Sequence, residues 1–197
     1  MPGPRSYELK DRGRQVERTR ERVIRVACKA LLTRSWEDVS LAAIATDADV
    51  TTQTVINHFQ SKKGLLIAVV AELGAEVDRL RGSTEPGNVT AAVSSLMRQY
   101  EVLGNANVTY VRQADRDAEI AEHVEQARRG HRAWLEDVFA DSLAGATDRQ
   151  HTVAALYAAT DVGTWKLLRK DLRLSQTETA AVLETLMRGV LGRAEKG

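Results

Sequence analysis

The sequence predicts an all-α chain in two parts, a small N-terminal three-helix domain followed by a larger helical bundle. Apolar residues recur at spacings of three and four through most of the 197 residues, with few β-branched alternations. Only three prolines interrupt that pattern. Charge is divided unevenly: residues 1–65 hold 12 Lys+Arg against 8 Asp+Glu, a surplus of +4, while the whole chain is +1 and the remainder therefore −3. At 43% hydrophobic and 28% charged, the composition suits a globular protein with one good core or two small ones. The single cysteine, Cys28, rules out an intrachain disulfide and fits a reducing compartment. No apolar run reaches the ~18 residues of a membrane span, and the N-terminus lacks a signal-peptide pattern. The expected location is cytoplasmic, with no membrane partner.

Residues 1–13 carry Pro2, Gly3, Pro4 and Gly13 among mixed charges and are expected to form a flexible arm, in which Arg5, Lys10, Arg12 and Arg14 are available to phosphate. From about Arg14 to Arg34 the stripe Val23, Ala27, Leu31, with Ile24 and Cys28 beside it, predicts a helix. Ser40 is placed as an N-cap for a short helix, Leu41 to Thr46. Asp47-Ala48-Asp49-Val50 then breaks the pattern, and Thr51 offers a second cap before TQTVINHF. Leu41, Ile44 and Ala45 face Val50, Val55 and Phe59 across the turn, so the apolar residues are used internally. Thr52, Gln53, Ile56 and Asn57 are left on the outer face, flanked by Thr54 and His58. Most of these can hydrogen-bond to base edges or phosphates. The stretch is a helix-turn-helix, and residues 14–60 form a DNA-binding domain.

At this point the sequence resembles the TetR (tetracycline repressor) family. Its pattern, approximately small-Gly-Val-Ser-x-x-Thr-Leu-Tyr-x-His-Phe-x-x-Lys-x-x-Leu, is met by Ala48, Val50, Thr51, Thr54, Val55, His58, Phe59, Lys62 and Leu65. The similarity covers about residues 18–66, with Ser35-Trp36 where Gly and an aromatic are usual. Asp49 stands in place of the turn glycine, Ile56 in place of a Tyr that commonly touches phosphate, and Lys63 in place of a frequent Glu. Asp is among the few non-glycine residues that tolerate a left-handed conformation. The resemblance implies that Thr52, Gln53 and Asn57 read bases, while Ser40, Thr51, His58 and Lys62 meet phosphates and Thr54 flanks the DNA-binding face.

Residues 61–197 are expected to be a helical ligand-binding and dimerisation domain. Leu65, Leu66, Val69, Leu73, Val77 and Leu80 mark a helix that ends at Arg81-Gly82. After the loop at Gly82–Gly87, the stripe Val89 to Leu103 predicts a helix ending near Gly104-Asn105, with a short one at Val108–Ala114. A long helix is read over about 116–143 and another over about 148–169, the latter carrying Ala155, Ala159 and Gly163 at i+4 steps that let a second helix approach. Ser175 and Glu178 form a capping box before Leu183, Leu186, Met187, Val190 and Leu191. In pattern, these last two helices resemble the family's dimer-forming pair.

No P-loop, nucleophile elbow, dinucleotide fingerprint or HExxH is present, so neither catalytic nor metal-ligating residues are assigned and no cofactor is expected. His123, His131 and His151 read as structural or solvated. The aromatics of the second half either fill a core or line a small-molecule cavity. Met97, Tyr100, Tyr110, Trp134, Phe139 and Trp165 are its candidate lining, and Gln99, Arg112, Thr160 or His131 a polar anchor. The expectation is a homodimeric repressor that holds double-stranded DNA at a near-palindromic operator and is released by a small-molecule effector. The alternative is a ligand-binding helical protein whose helix-turn-helix no longer reads DNA.

Overall fold

A computed structural model describes residues 4–82 and 84–194, with side chains for 11–82 and 84–192. Every regular element among the described residues is a helix, with no strand among them. The chain divides into two compact units between Leu73 and Gly74.

The first unit holds α1 (Pro4–Thr33), a 3-10 turn (Trp36–Asp38), α2 (Leu41–Asp47), α3 (Thr52–Phe59) and the start of α4 (Lys62–Arg81). α1 begins about ten residues earlier than the expected helix at Arg14, so residues 4–13 continue it. Pro4 suits a first helical position, where its missing N–H would be unbonded anyway. The arm side chains Arg5 and Lys10 lie outside the described residues. α2 has seven residues and α3 eight, too short to persist alone, so tertiary burial holds them. Ile44 and Val55 are 1% and 0% exposed, Val23, Ala27 and Leu31 of α1 and Leu65, Leu66 and Val69 of α4 are buried as well, and α1, α2 and α3 pack on one another. Each such side chain contributes about 1.5–3 kcal/mol. Cys28 is half-buried, and burial, with Glu72 adding, pushes its thiol up to about 11, which makes it a poor nucleophile.

In the second unit, α5 (Val89–Ala114) packs on α6 (Ala118–Val138), α9 (Val162–Lys166) and α10 (Gln176–Ala194), and α8 (Arg149–Thr160) packs on α6 and α10. Leu96, Leu135, Leu156 and Leu183 lie at the centre of the core. Three expected boundaries differ. α5 is one helix of 26 residues, because Gly104 is not a stop. It is a niche, and a Cβ there would fall on the Trp165 ring. The long helix over 116–143 ends at Val138 and restarts as α7 (Ala140–Ala144), with Phe139 at φ −110, ψ 27. The helix over 148–169 breaks at Asp161, whose extended backbone lets its carboxylate accept from Gly163 N at 2.7 Å and cap α9. A π turn (Leu167–Asp171) follows. The capping box forms as expected: Ser175 N donates to Glu178 Oε2 at 2.8 Å and Glu178 N to Ser175 Oγ at 3.2 Å. Among the described residues no helix is long and apolar enough to cross a membrane.

Candidate nucleic-acid interface

The turn between α2 and α3 is built from backbone bonds and two caps. Ser40 Oγ accepts from Ala43 N and Thr51 Oγ1 from Thr54 N, each at 3.1 Å. Asp49 takes φ 51, the left-handed conformation that Gly would adopt without cost. Arg22 Nη2 donates to Asp49 O at 3.4 Å, and Val50 N to Ala45 O at 3.0 Å, which ties the turn to α1 and to α2.

α3 then divides cleanly. Val55 and Phe59 are buried, while Thr52, Gln53 and Asn57 are exposed. Thr54 and His58 are half-buried at the edge of that face, and Ile56 is 37% exposed upon it. Gln53 Nε2 donates to Asn57 Oδ1 at 2.9 Å, which leaves Gln53 Oε1 as an acceptor and Asn57 Nδ2 as a donor for a further partner. Ser40 and Thr51 sit exposed at the starts of α2 and α3. Lys62 is placed differently: its Nζ donates to Glu37 O at 3.0 Å and lies 5.7 Å from the Trp36 ring, so it is turned onto the 3-10 turn. An ammonium carries three donors, so this tie leaves capacity for an anion. Sequence reasoning missed Gly64. A Cβ there would collide with Phe59 O, so only glycine lets α4 start this close to the end of α3, where Gln60 takes φ 64. The signal was present, since a lone glycine early in a helical pattern marks a close approach.

Of the residues expected around a ligand in the second unit, Met97, Tyr100, Phe139 and Trp165 are packed in its core, and Trp134 is half-buried against it. Tyr110 is 4% exposed and its Oη has no partner. Burial, with Glu119 and Asp117 adding, pushes that phenol up to about 12. The expected anchors Gln99, His131 and Thr160 meet in one network, whereas Arg112 is exposed. Arg81 completes the network. Its Nε donates to Gln99 Oε1 at 2.7 Å and its Nη2 to His131 Nδ1 at 2.7 Å, while His131 Nε2 lies 2.9 Å from Thr160 Oγ1. Because Thr160 Oγ1 donates to Leu156 O at 2.8 Å, it accepts from His131, which fixes the proton on Nε2. Burial, with Arg81 adding, accordingly drives His131 down to about 3. Arg81 was not foreseen, since an arginine in the last turn of a helix is usual.

A capped helix-turn-helix with a polar outer face, joined to a separate helical unit, defines a DNA-binding transcription regulator. Residues 23–69 match the model for "Bacterial regulatory proteins, tetR family". The helix-turn-helix domain is thus that of the TetR-family regulators. Solved structures share the fold over nearly the whole chain. One is a transcriptional regulator from Rhodococcus sp. RHA1, with a TM-score of 0.72 and 18% identity over 89% of this chain and 97% of that one. Another, from Mesorhizobium loti MAFF303099 and assigned to the TetR family, has a TM-score of 0.65 and 16% identity over 90% and 97%. No curated protein matches the chain.

Proposed function

We propose that this regulator is a homodimeric repressor that holds a near-palindromic operator and releases it when a small molecule binds the second unit. The observation that carries the reading is the division of α3: apolar Val55 and Phe59 anchor it from within, and Thr52, Gln53 and Asn57 stand outside. These three read base edges, while Ser40, Thr51, His58 and Lys62 hold phosphates and Thr54 flanks them. Homodimerisation runs through α8 and α10. In this reading Leu183, Met187 and Leu191 serve each subunit's own core, while Leu186, 42% exposed, meets the second copy with the exposed sides of Val182 and Val190, which also pack on that core. The effector enters among Met97, Tyr100, Tyr110, Trp134, Phe139 and Trp165, with half-buried Trp134 outermost. α4 carries the change, because the helix that begins just after α3 ends within the second unit at Arg81. The ligand can shift the equilibrium only by its differential affinity for the two states.

Ile56 favours the second reading, a sensor that has ceased to read DNA: it puts an apolar side chain, 37% exposed, where the family commonly has a phosphate-binding Tyr. Anisotropy titrations of labelled DNA across a salt series separate the two. The repressor reading predicts affinity that falls steeply and linearly with log salt, plus a sequence-dependent component. Binding too weak to follow at low salt would leave only the sensor.

A further inference from the structure

The second unit buries a positive charge that its own side chains leave without a counter-charge. Arg81 is 8% exposed, and its acceptors, Gln99 Oε1 and His131 Nδ1, are both neutral. These two bonds occupy two of the five N–H donors that a guanidinium carries. Among the described residues no carboxylate is ion-paired with Arg81, and Asp78, one turn earlier, is exposed and acts on it only at a distance. Arg169 of the same unit, by contrast, is matched by Glu101 at 2.6 Å. A buried ion without a partner is costly, and the planar fork of a guanidinium suits a carboxylate. Aromatic faces border the group: the Trp134 ring centroid is 4.7 Å from Arg81 Cζ and Tyr157 meets His131 edge-on at 5.2 Å, both aromatics being half-buried.

We propose that Arg81 anchors an organic carboxylate, a monoanion with an apolar or aromatic body that lies against Trp134 and Tyr157. The inference rests on the effector reading above and names the chemical class of that effector. Gln99 and His131 hold the guanidinium in place, and its remaining N–H donors take the carboxylate. Because Arg81 is the last residue of α4, the anion acts directly on the helix that begins beside α3. A network that only ties α4 to α5, α6 and α8 would gain nothing from a ligand's charge.

The test uses the full chain carrying Trp36→Phe, so that emission comes from Trp134 and Trp165. Phenylacetate and octanoate are titrated against phenylacetamide and octanamide, with melting temperature followed in parallel. Both carboxylates are expected to saturate, to raise the melting temperature and to bind about ten-fold or more tighter than their amides, the difference a charge-assisted bond makes. Arg81→Gln should abolish that preference. Arg81→Lys, which keeps the charge and loses the fork, should bind carboxylates about ten-fold more weakly. If Arg81→Gln does not fold, the acid–amide comparison and Arg81→Lys decide. Equal binding of acid and amide, no saturable binding of either, or unchanged affinity in Arg81→Lys overturns the proposal. No DNA is present, so failure here leaves the repressor reading intact. In a second titration with labelled DNA bound, a carboxylate that binds through Arg81 yet leaves DNA bound removes the release step and keeps the site.

Discussion

Gln53 and Asn57 are bonded to each other across one turn of α3, so removing either leaves the other free to rotate. Gln53→Ala or Asn57→Ala should each cost about 1–3 kcal/mol on the preferred site and flatten its base preference, measured by competition between sites. Lys62→Ala should weaken all sequences alike and lower the salt slope by about one. A lower melting temperature with an unchanged slope would assign that ammonium to Glu37 and Trp36 alone. In the second unit, Gly104→Ala places a methyl group on the Trp165 ring and should destabilise by about 1–3 kcal/mol in denaturant unfolding. Residues whose demands are local were legible: Ser40 and Thr51 cap, and Asp49 is left-handed, as the spacing and residue types require. Gly104 was misread as a stop, and the buried network of Arg81 was missed, because what fixes each is a partner 61 and 50 positions away, Trp165 and His131, to which no local pattern points.

At the scale of elements, the helices were legible from their stripes and caps, while several of their ends were not. Asp161 and Phe139 break helices that the apolar pattern carries straight through, since side-chain capping and core packing there outweigh continuation. His131 gives the clearest prediction at this scale, because it links α6 to α4 through Arg81 and to α8 through Thr160. Its folded value, about 3, lies below the ordinary 6.5, so the unfolded chain binds more protons between them. The stability from burying neutral imidazole is thus fully present above about pH 6.5 and lost as pH falls toward 3. Urea unfolding from pH 7.5 to 4.5 should show a progressive loss of a few kcal/mol, and His131→Gln should flatten that part of the profile. A parallel profile in the variant would place the acid sensitivity elsewhere.

Across the whole molecule, the charge surplus of +4 lies in the N-terminal third, residues 1–65, that holds the helix-turn-helix. That asymmetry and the exposed polar face of α3 together make DNA the partner the chain is suited to. If α8 and α10 pair two copies, light scattering at micromolar concentration should give twice the chain mass of 21.7 kDa, and Leu186→Glu should return it to monomer. A mass that Leu186→Glu leaves unchanged would move the interface off α10. A dimer would be legible in a sequence only as spare apolar surface, because a partner leaves its mark as residues that the chain's own core does not need. The most direct test of the central claim is selection of bound sequences from random DNA by the purified full chain. The account predicts enrichment of one near-palindromic site, its half-sites about one helical turn (~34–36 Å) or somewhat more apart, with that enrichment lost in the Gln53→Ala, Asn57→Ala double variant. A pool that emerges without a shared sequence, or one enriched equally by the double variant, would contradict it.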